Sequence, residues 1–407
     1  MQIKSYKEFI SEAGFTHSRH IEDSVLDLGA SGTKAAIIAL KDFRDTFAGV
    51  SNKKLDVTIK FDGAPAVVFG THPETGKFFV GTKSVFSANS KAYSTHQEIS
   101  SSDIAGGLAD KLHDALDYLP SVTPGGRVFQ GDFMFSKGDL GVATINGEPC
   151  IIMHPNTIVY TVPKNSDIGN TISKAKMGIV VHTEYKGKTI QTLSPVFGVD
   201  SSSFKKNSNV WLIDAHLQDT TGIGNLTASE TNEIDSILSD CGSLFSSVSS
   251  NTFKLISTNK QINAFLNKFN NSVIRSGSNI DPNVKANSFI DWLKEQFEAN
   301  KATNKTERGK ANVDERFKSL INTLDINELT KIFMLQSRIA DGKSFVLGKL
   351  NQIGSLGTYL KTADGFKVTN HEGFVGTGGD MTGIKLVDRL EFSHSNFSKD
   401  IIKGWAH

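Results

Sequence analysis

The chain has 407 residues, with 44 Lys and Arg against 43 Asp and Glu, so its formal net charge is +1. This balance excludes a chain that is basic throughout, although phosphate binding needs only a local group of Lys and Arg. Two cysteines, Cys150 and Cys241, are too few for a disulfide framework, and no apolar run reaches the roughly 20 residues of a membrane-spanning helix. We therefore expect a folded cytoplasmic protein that has no membrane partner.

Apolar residues at helical spacing characterise the N-terminal segment, residues 1–54. Ile21, Val25 and Leu28 recur at this spacing, and the pattern continues from Ala36 to Phe47. The sequence predicts helices here, interrupted by glycines.

Short β-branched and aromatic segments dominate residues 55–225. A turn at HPETG joins two of the predicted strands, and a helix is predicted over IAGGLADKLHDALDYL. The predicted strands are LDVTIK, PAVVFG, KFFVGTKSVF, GRVFQGDFMF, CIIMHP, TIVYTVP, MGIVVHTEY and NVWLIDAHL. This pattern predicts an antiparallel, strand-rich α+β domain.

Helical periodicity returns over residues 226–350. Phe289, Leu293 and Phe297 share one predicted face, and the polar run NKATNKTERGKAN is predicted to be a loop. Strand-like segments follow in residues 351–407, namely GFKVTNHEGFVG and TGIKLVDRLEFS. A helical block between two strand-rich blocks indicates an all-α insertion into one domain.

The sharpest local motif is Lys60-Phe61-Asp62-Gly63, which follows a predicted strand. It is typical of an Asp-Gly hairpin turn, and it also suits a lysine nucleophile. An amine attacks only when it is neutral, and burial or neighbouring cations can lower a lysine pKa. Asp62 is then expected to orient the amine or contact the substrate, and Gly63 to let a ligand approach the backbone.

This tetrapeptide resembles motif I of the covalent nucleotidyltransferases, the superfamily of ATP-dependent DNA ligases, RNA ligases and mRNA capping enzymes. Later segments resemble the other motifs of that superfamily in the same order. Lys83 corresponds to a phosphate-proximal basic residue, and Asp132 stands where motif III has Glu. Glu372 matches motif IV, and Lys385 is the single lysine of a motif V that commonly has two.

Motif IIIa, which places an apolar or aromatic side chain against the base, is the least clear. MGIVVHTEY lies in the expected order, and Ile179, Val181 and Tyr185 are the candidates.

The resemblance implies a ligase-type nucleotidyltransferase fold, with ATP-grasp-like antiparallel sheets and flanking helices. It implies that Lys60 forms a lysyl-AMP intermediate with ATP. Asp62, Gly63, Lys83, Asp132 and Lys385 would contact the nucleotide, and Glu372 and Asp132 would hold Mg²⁺ or Mn²⁺. The expected reaction is RNA-ligase-like joining of nucleic acid ends, in RNA or a nicked duplex. The chain is also similar to uncharacterised tailed-phage proteins, which places it in a host bacterial cytoplasm.

Two alternatives remain open at this stage, and so do the choice between ATP and GTP and the oligomeric state. One alternative is a stand-alone adenylyl- or guanylyltransferase acting on RNA, protein or a small molecule. The other is a non-catalytic structural or interaction protein that retains the fold. A basic run at Lys301, Lys305, Arg308 and Lys310 is the candidate for nucleic acid binding.

Overall fold

The structure is a computed structural model that describes residues 20–48, 57–104, 106–217, 225–278, 280–353, 356–376, 384–388, 398 and 400–404. Its helices and strands confirm the α+β class. The chain divides into two compact units. The first takes its described residues from 1–54, 224–349 and 379–397, and the second from 55–223, 350–378 and 398–407.

The first unit is built mainly of helices. They are α1 (Ser24–Phe47), α5 (Ala228–Ser247), α6 (Ser250–Thr258), α7 (Lys260–Arg275), α8 (Pro282–Thr303), α9 (Glu307–Asn322) and α10 (Ile326–Asn351), whose last residues enter the second unit. Within α1, Gly29 has φ +57° and interrupts the helical backbone. A side chain there would meet the Phe253 carbonyl oxygen at 2.7 Å, so the position needs glycine for two reasons.

The predicted loop NKATNKTERGKAN is mostly helical. Helix α8 continues to Thr303 and α9 begins at Glu307, where Thr306 accepts a hydrogen bond from the Gly309 N–H. The Thr306 side chain caps the start of α9, because it accepts a hydrogen bond from a backbone N–H of the first turn. A run of polar residues does not by itself indicate such a cap. Only residues 304–306 connect the two helices.

The second unit contains the helices α2 (His96–Ser100), α3 (Gly107–Tyr118) and α4 (Asp167–Lys174). Its strands are β1 (Val57–Lys60), β2 (Ala66–Thr71), β3 (Phe78–Gly81), β4 (Val128–Ser136), β5 (Gly141–Ile145), β6 (Glu148–Met153), β7 (Ile158–Pro163), β8 (Met177–Lys186), β9 (Ser194–Phe197), β10 (Val210–Asp214), β11 (Gly357–Thr362), β12 (Gly365–Val368) and β13 (Gly373–Gly376).

These strands form two larger sheets and the pair β1–β13. One sheet has the order β10-β8-β4-β2-β3, with β9 paired to β8, and the other has the order β12-β11-β7-β6-β5. Apolar side chains of β2, β4 and β8 pack against α3 to form a core that includes Phe69, Phe129, Phe133 and Ile179. Alternating side chains of these strands supply that core because one face of each strand is buried.

Two sequence predictions for this unit need correction. Strand β10 pairs with β8 in parallel, so the domain is not wholly antiparallel. Residues Lys83–Phe86, predicted as the end of a strand, form a 3-10 helix in which Thr82 caps the Ser84 N–H. Such side-chain capping competes with strand pairing.

In the part of the chain that the structure describes, the helices that are long enough to cross a membrane are too polar to do so.

Candidate functional site

Lys60 and Glu372 meet where β1 pairs with β13. The two strands are antiparallel, and Lys60 lies opposite Gly373. Glu372, the residue before β13, therefore lies one position beyond the end of the strand pair. The Lys60 ammonium donates a hydrogen bond to Glu372 Oε2. The Glu372 side chain is only 8% exposed, whereas that of Lys60 keeps 32% exposure. The pairing therefore holds a largely buried carboxylate against a lysine whose side chain is partly exposed.

Carboxylates surround the amine and hold its proton. Burial of the Lys60 amine favours its neutral form, but the charges of Glu372, Asp132 and Asp62 outweigh that effect and raise its pKa. The expected lowering of this pKa by burial and cations is therefore wrong for this arrangement. Lys60 is therefore a protonated amine here, and an amine in that state does not act as a nucleophile.

Asp132 lies in the middle of β4, opposite Ala66 of β2 and Val180 of β8. Its side chain is 17% exposed, and its charge acts on Lys60. Gly63 allows this close packing, because a Cβ at that position would lie 2.7 Å from the Asp132 Cβ. The structure thus gives Gly63 a role in packing the loop after β1 against β4.

Asp62 is buried and its carboxylate is fully engaged within the protein. It accepts hydrogen bonds from Asn156 Nδ2 at 2.7 Å and from the backbone N–H groups of Thr157 and Ile158, both at 2.8 Å. Burial raises the pKa of Asp62, although these donors act against that change. Its own N–H donates to the Tyr160 hydroxyl at 2.6 Å. This geometry favours a role for Asp62 in fixing the loop after Lys60 over direct contact with a nucleotide.

His182 is a site residue that the motif comparison missed. It lies in β8 where the pairing with β4 shifts register, and its Nε2 is 3.7 Å from Asp132 Oδ1. Its Nδ1 is 2.7 Å from the Thr183 hydroxyl, which orients the ring. The irregular register brings His182 toward Asp132, and a sequence pattern does not encode such a shift.

The candidates for a base-stacking side chain separate clearly. Ile179 and Val181 are fully buried in the core with α3, so they cannot stack on a base. Tyr185 is half-buried, packs against Phe86 with a ring-centroid distance of 4.7 Å, and donates to Gln130 Oε1 at 2.6 Å. Of the three candidates, Tyr185 is therefore the one whose side chain is not enclosed in that core.

Lys83 and Lys385 are the two remaining lysines that the sequence predicts to bind phosphate. Lys83 is exposed at the first position of the 3-10 helix that follows β3. Lys385 belongs to the first unit, in strand β14 (Ile384–Leu386), where it forms a parallel bridge with His20. Their contacts with a nucleotide remain predictions. The sequence also favours a glycine-rich hairpin at GTGGD, residues 376–380, and a basic cluster at Lys53 and Lys54. Apart from Gly376 these residues, and Arg389, lie outside the described residues.

The predicted nucleic-acid-binding run is partly neutralised by its neighbours. Lys301 pairs with Asp314 at 2.7 Å, and Lys310 pairs with Glu307 at 2.8 Å. Lys305 and Arg308 are exposed, with no ion pair among the described residues. Paired charges attract a phosphate backbone less than free ones do, so this run is a weaker candidate than the sequence indicates.

The carboxylates near Lys60 are of the kind that Mg²⁺ takes as ligands. The described residues contain no cluster of three or more His, Cys, Asp or Glu side chains able to hold a metal by themselves. Mg²⁺ usually takes one or two carboxylates together with substrate phosphates and water. Glu372 and Asp132 supply that number of carboxylates, and the charges of both act on Lys60.

Comparison with known proteins gives one match. A family model described as a family of unknown function, DUF6267, matches residues 15–401. No curated protein and no solved structure matches the chain. Because the match extends over nearly the whole sequence, the chain belongs to the DUF6267 family.

Proposed function

We propose that this protein is a covalent nucleotidyltransferase of the ligase type, in which Lys60 carries AMP. The observation behind the proposal is the convergence of Lys60, Glu372 and Asp132 from three strands that are distant in sequence. These are three of the positions that resemble motifs I, IV and III. A lysine among carboxylates can be a simple structural ion pair, but a buried amine on a partly exposed side chain, with carboxylates around it, also suits a reactive site.

The first reaction step joins Lys60 to the nucleotide. The Nζ atom attacks the α-phosphorus of ATP, an N–P bond forms, and the bond from that phosphorus to the bridging oxygen breaks, so pyrophosphate leaves. Lys60 has to lose its extra proton before the attack. The charge of Asp132 acts on Lys60, and His182 Nε2 lies 3.7 Å from Asp132 Oδ1, so we propose that the His182 imidazole accepts this proton and passes it toward solvent.

Glu372 and Asp132 would hold Mg²⁺ together with the triphosphate. The ion supplies positive charge that offsets the carboxylates around Lys60 and the charge that develops on pyrophosphate. Asp62 fixes the loop that follows Lys60, and Gly63 keeps that loop against β4. These contacts hold the amine in place, which lowers the entropic cost of reaching the α-phosphorus.

Two further steps would complete end joining. A 5′-phosphate oxygen attacks the lysyl-AMP phosphorus, and the N–P bond breaks and returns the amine to Lys60. A 3′-hydroxyl then attacks the activated 5′-phosphate, and AMP leaves. An acceptor other than a nucleic acid end would turn the same first step into a stand-alone transferase reaction.

Incubation with labelled nucleotides tests the proposal. ATP labelled at the α-phosphate should label the protein covalently in the presence of Mg²⁺, whereas ATP labelled at the γ-phosphate should not. The Lys60→Ala variant should remain unlabelled. GTP in place of ATP tests nucleotide choice, and addition of RNA with a 5′-phosphate end tests transfer to nucleic acid. Retention of the α-label by Lys60→Ala, or its absence from the wild-type protein, would contradict the proposal.

A further inference from the structure

Five exposed lysines lie at one end of the six-stranded sheet and carry no acidic partner. They are Lys137, Lys174, Lys176, Lys205 and Lys206, and we call them the lysine strip. Each belongs to the second unit, which also contains Lys60. The strip is distinct from the Lys301–Lys310 run.

Sheet topology brings the strip together. Strand β8 runs antiparallel to β4 and parallel to β10. The end of β4 and the starts of β8 and β10 therefore lie at the same end of the sheet. Lys137 follows β4, Lys176 precedes β8, and Lys205 and Lys206 precede β10. These lysines of the strip therefore lie next to the ends of three neighbouring strands.

Backbone hydrogen bonds link these segments directly. The Lys137 N–H donates to the Lys176 carbonyl oxygen at 2.7 Å, and the Lys176 N–H donates to the Asn209 carbonyl oxygen at 2.7 Å. The Lys137 ammonium donates to the Ser173 carbonyl oxygen at 3.2 Å, which places it beside the last turn of α4 and Lys174. The side chains thus project from one connected surface.

The strip carries an excess of positive charge, although two carboxylates lie at its edge: Asp114 accepts a hydrogen bond from the Ser136 hydroxyl, and Asp139 accepts one from Lys111. None of its five lysines forms an ion pair with a described carboxylate. The single acidic residue in residues 136–139, 173–177 and 204–210 is Asp139, and it pairs with the buried Lys111. The Lys301–Lys310 run differs, because two of its four charges are paired. Unpaired, adjacent lysines are the arrangement that binds a phosphate backbone.

We propose that the lysine strip binds the phosphate backbone of the nucleic acid on which the second unit acts. This rests on the proposed function and names a surface for its substrate. The strip begins at Lys137, directly after β4 and five residues beyond Asp132 of that strand. At about 3.3 Å per residue this separation is roughly 16 Å. A nucleic acid helix that rises about 3.4 Å per nucleotide along its axis would then reach the strip about five nucleotides from the reacting end.

Salt-dependent binding tests the strip. Fluorescence anisotropy would compare the wild-type protein with a strip variant in which all five lysines are Gln, using single-stranded RNA and a nicked DNA duplex over a range of salt concentrations. For single-stranded RNA the wild-type plot of log affinity against log salt should be steeper by up to about 3.5, since each released phosphate counterion contributes about 0.7. The strip variant should also bind at least tenfold more weakly.

A matched control carries five Gln substitutions in the first unit, at the exposed lysines Lys254, Lys260, Lys268, Lys294 and Lys318. It has the same net charge as the strip variant, and it should keep the wild-type affinity and salt slope. Equal loss in both variants would show that net charge alone is responsible and would overturn the proposal.

Three further results would also overturn the proposal. A strip variant that binds like the wild type overturns the strip, as does a wild-type protein that binds neither nucleic acid. Polyglutamate binding with the same affinity and salt slope as RNA would overturn the assignment to nucleic acid. Lysyl-AMP formation, measured without nucleic acid, separates the two proposals. If the strip variant retains it, failure of the strip leaves the Lys60 chemistry intact.

Discussion

Lys60 and Glu372 are 312 positions apart in the chain, and the pairing of β1 with β13 joins them in one ion pair. The pair raises the pKa of Lys60 despite the burial of its amine. Removal or screening of the Glu372 charge should therefore release the proton that blocks the amine as a nucleophile.

The Glu372→Gln variant should make Lys60 more reactive toward a small amine-directed reagent at neutral pH while abolishing AMP transfer. Loss of one adjacent opposite charge typically moves a pKa by about one to three units, so the midpoint of Lys60 modification against pH should fall by that amount. Peptide mass spectrometry across a pH series measures this. Lys83, an exposed lysine, serves as an internal control in the same digest. An unchanged Lys60 midpoint would show that Glu372 does not control the amine.

Asp62→Asn should act mainly on stability. Its carboxylate accepts three hydrogen bonds in a buried environment, and the amide keeps only one acceptor oxygen. A buried N–H left without an acceptor costs about 1–3 kcal/mol. Chemical denaturation should show a loss of this size.

Asp132→Asn provides the comparison for Asp62. This carboxylate has no hydrogen bond to a buried backbone donor among those described, and its charge acts on Lys60. We expect it to change the free energy of unfolding little and to lower the rate of AMP transfer. If Asp62→Asn weakened ATP binding without loss of stability, Asp62 would contact the nucleotide as the resemblance implies.

Gly63→Ala should destabilise the second unit. The added Cβ would lie 2.7 Å from the Asp132 Cβ and 3.0 Å from the Phe133 carbonyl oxygen. Overpacking of this kind costs about 1–3 kcal/mol. Gly125→Ala is the matched control, because a Cβ at that position has no neighbour within 4 Å. Equal unfolding midpoints for the two variants would mean that β4 does not need a glycine opposite Asp132.

His154 should make stability depend on pH. Burial, together with the charges of Lys361 and Lys403, lowers the pKa of this imidazole from 6.5 to about 4. Between those values the unfolded chain binds more protons than the folded one, so stability rises with pH across that window. The contribution is up to about 1.4 kcal/mol per pH unit.

Denaturation at several pH values between 4 and 6.5 measures the His154 effect. His154→Asn should remove part of the rise, even if the substitution lowers stability throughout; the remainder comes from His371, whose pKa burial also lowers to about 4. His96→Asn, at a half-exposed side chain, is the control and should keep the wild-type slope. An equally steep rise in His154→Asn would assign the pH dependence to other groups.

Local sequence patterns predicted the helices and most strands because the periodicity of apolar residues records which face is buried. The helix around Phe289 and Leu293 and the strand around Phe129 are examples. The same patterns failed where distant partners decide the structure. The parallel pairing of β10 with β8 depends on neighbours that a local window does not contain.

The candidate site shows the same division. Motif order selected Lys60, Asp132 and Glu372, whose charges the structure brings together. It did not reveal that Asp62 is held by backbone donors, that Ile179 and Val181 are core residues, or that His182 lies near Asp132. Those features arise from side-chain direction and strand register, which differ between chains that share a motif.

Intact-protein mass spectrometry after incubation with ATP and Mg²⁺ tests the central claim most directly. The wild-type protein should gain the mass of one AMP, peptide fragmentation should locate it on Lys60, and pyrophosphate should remove it. Lys60→Arg keeps the positive charge opposite Glu372 but provides no amine nucleophile at neutral pH, so it should gain no mass. An unmodified wild-type protein, or an adduct on another residue that persists in Lys60→Arg, would contradict the account.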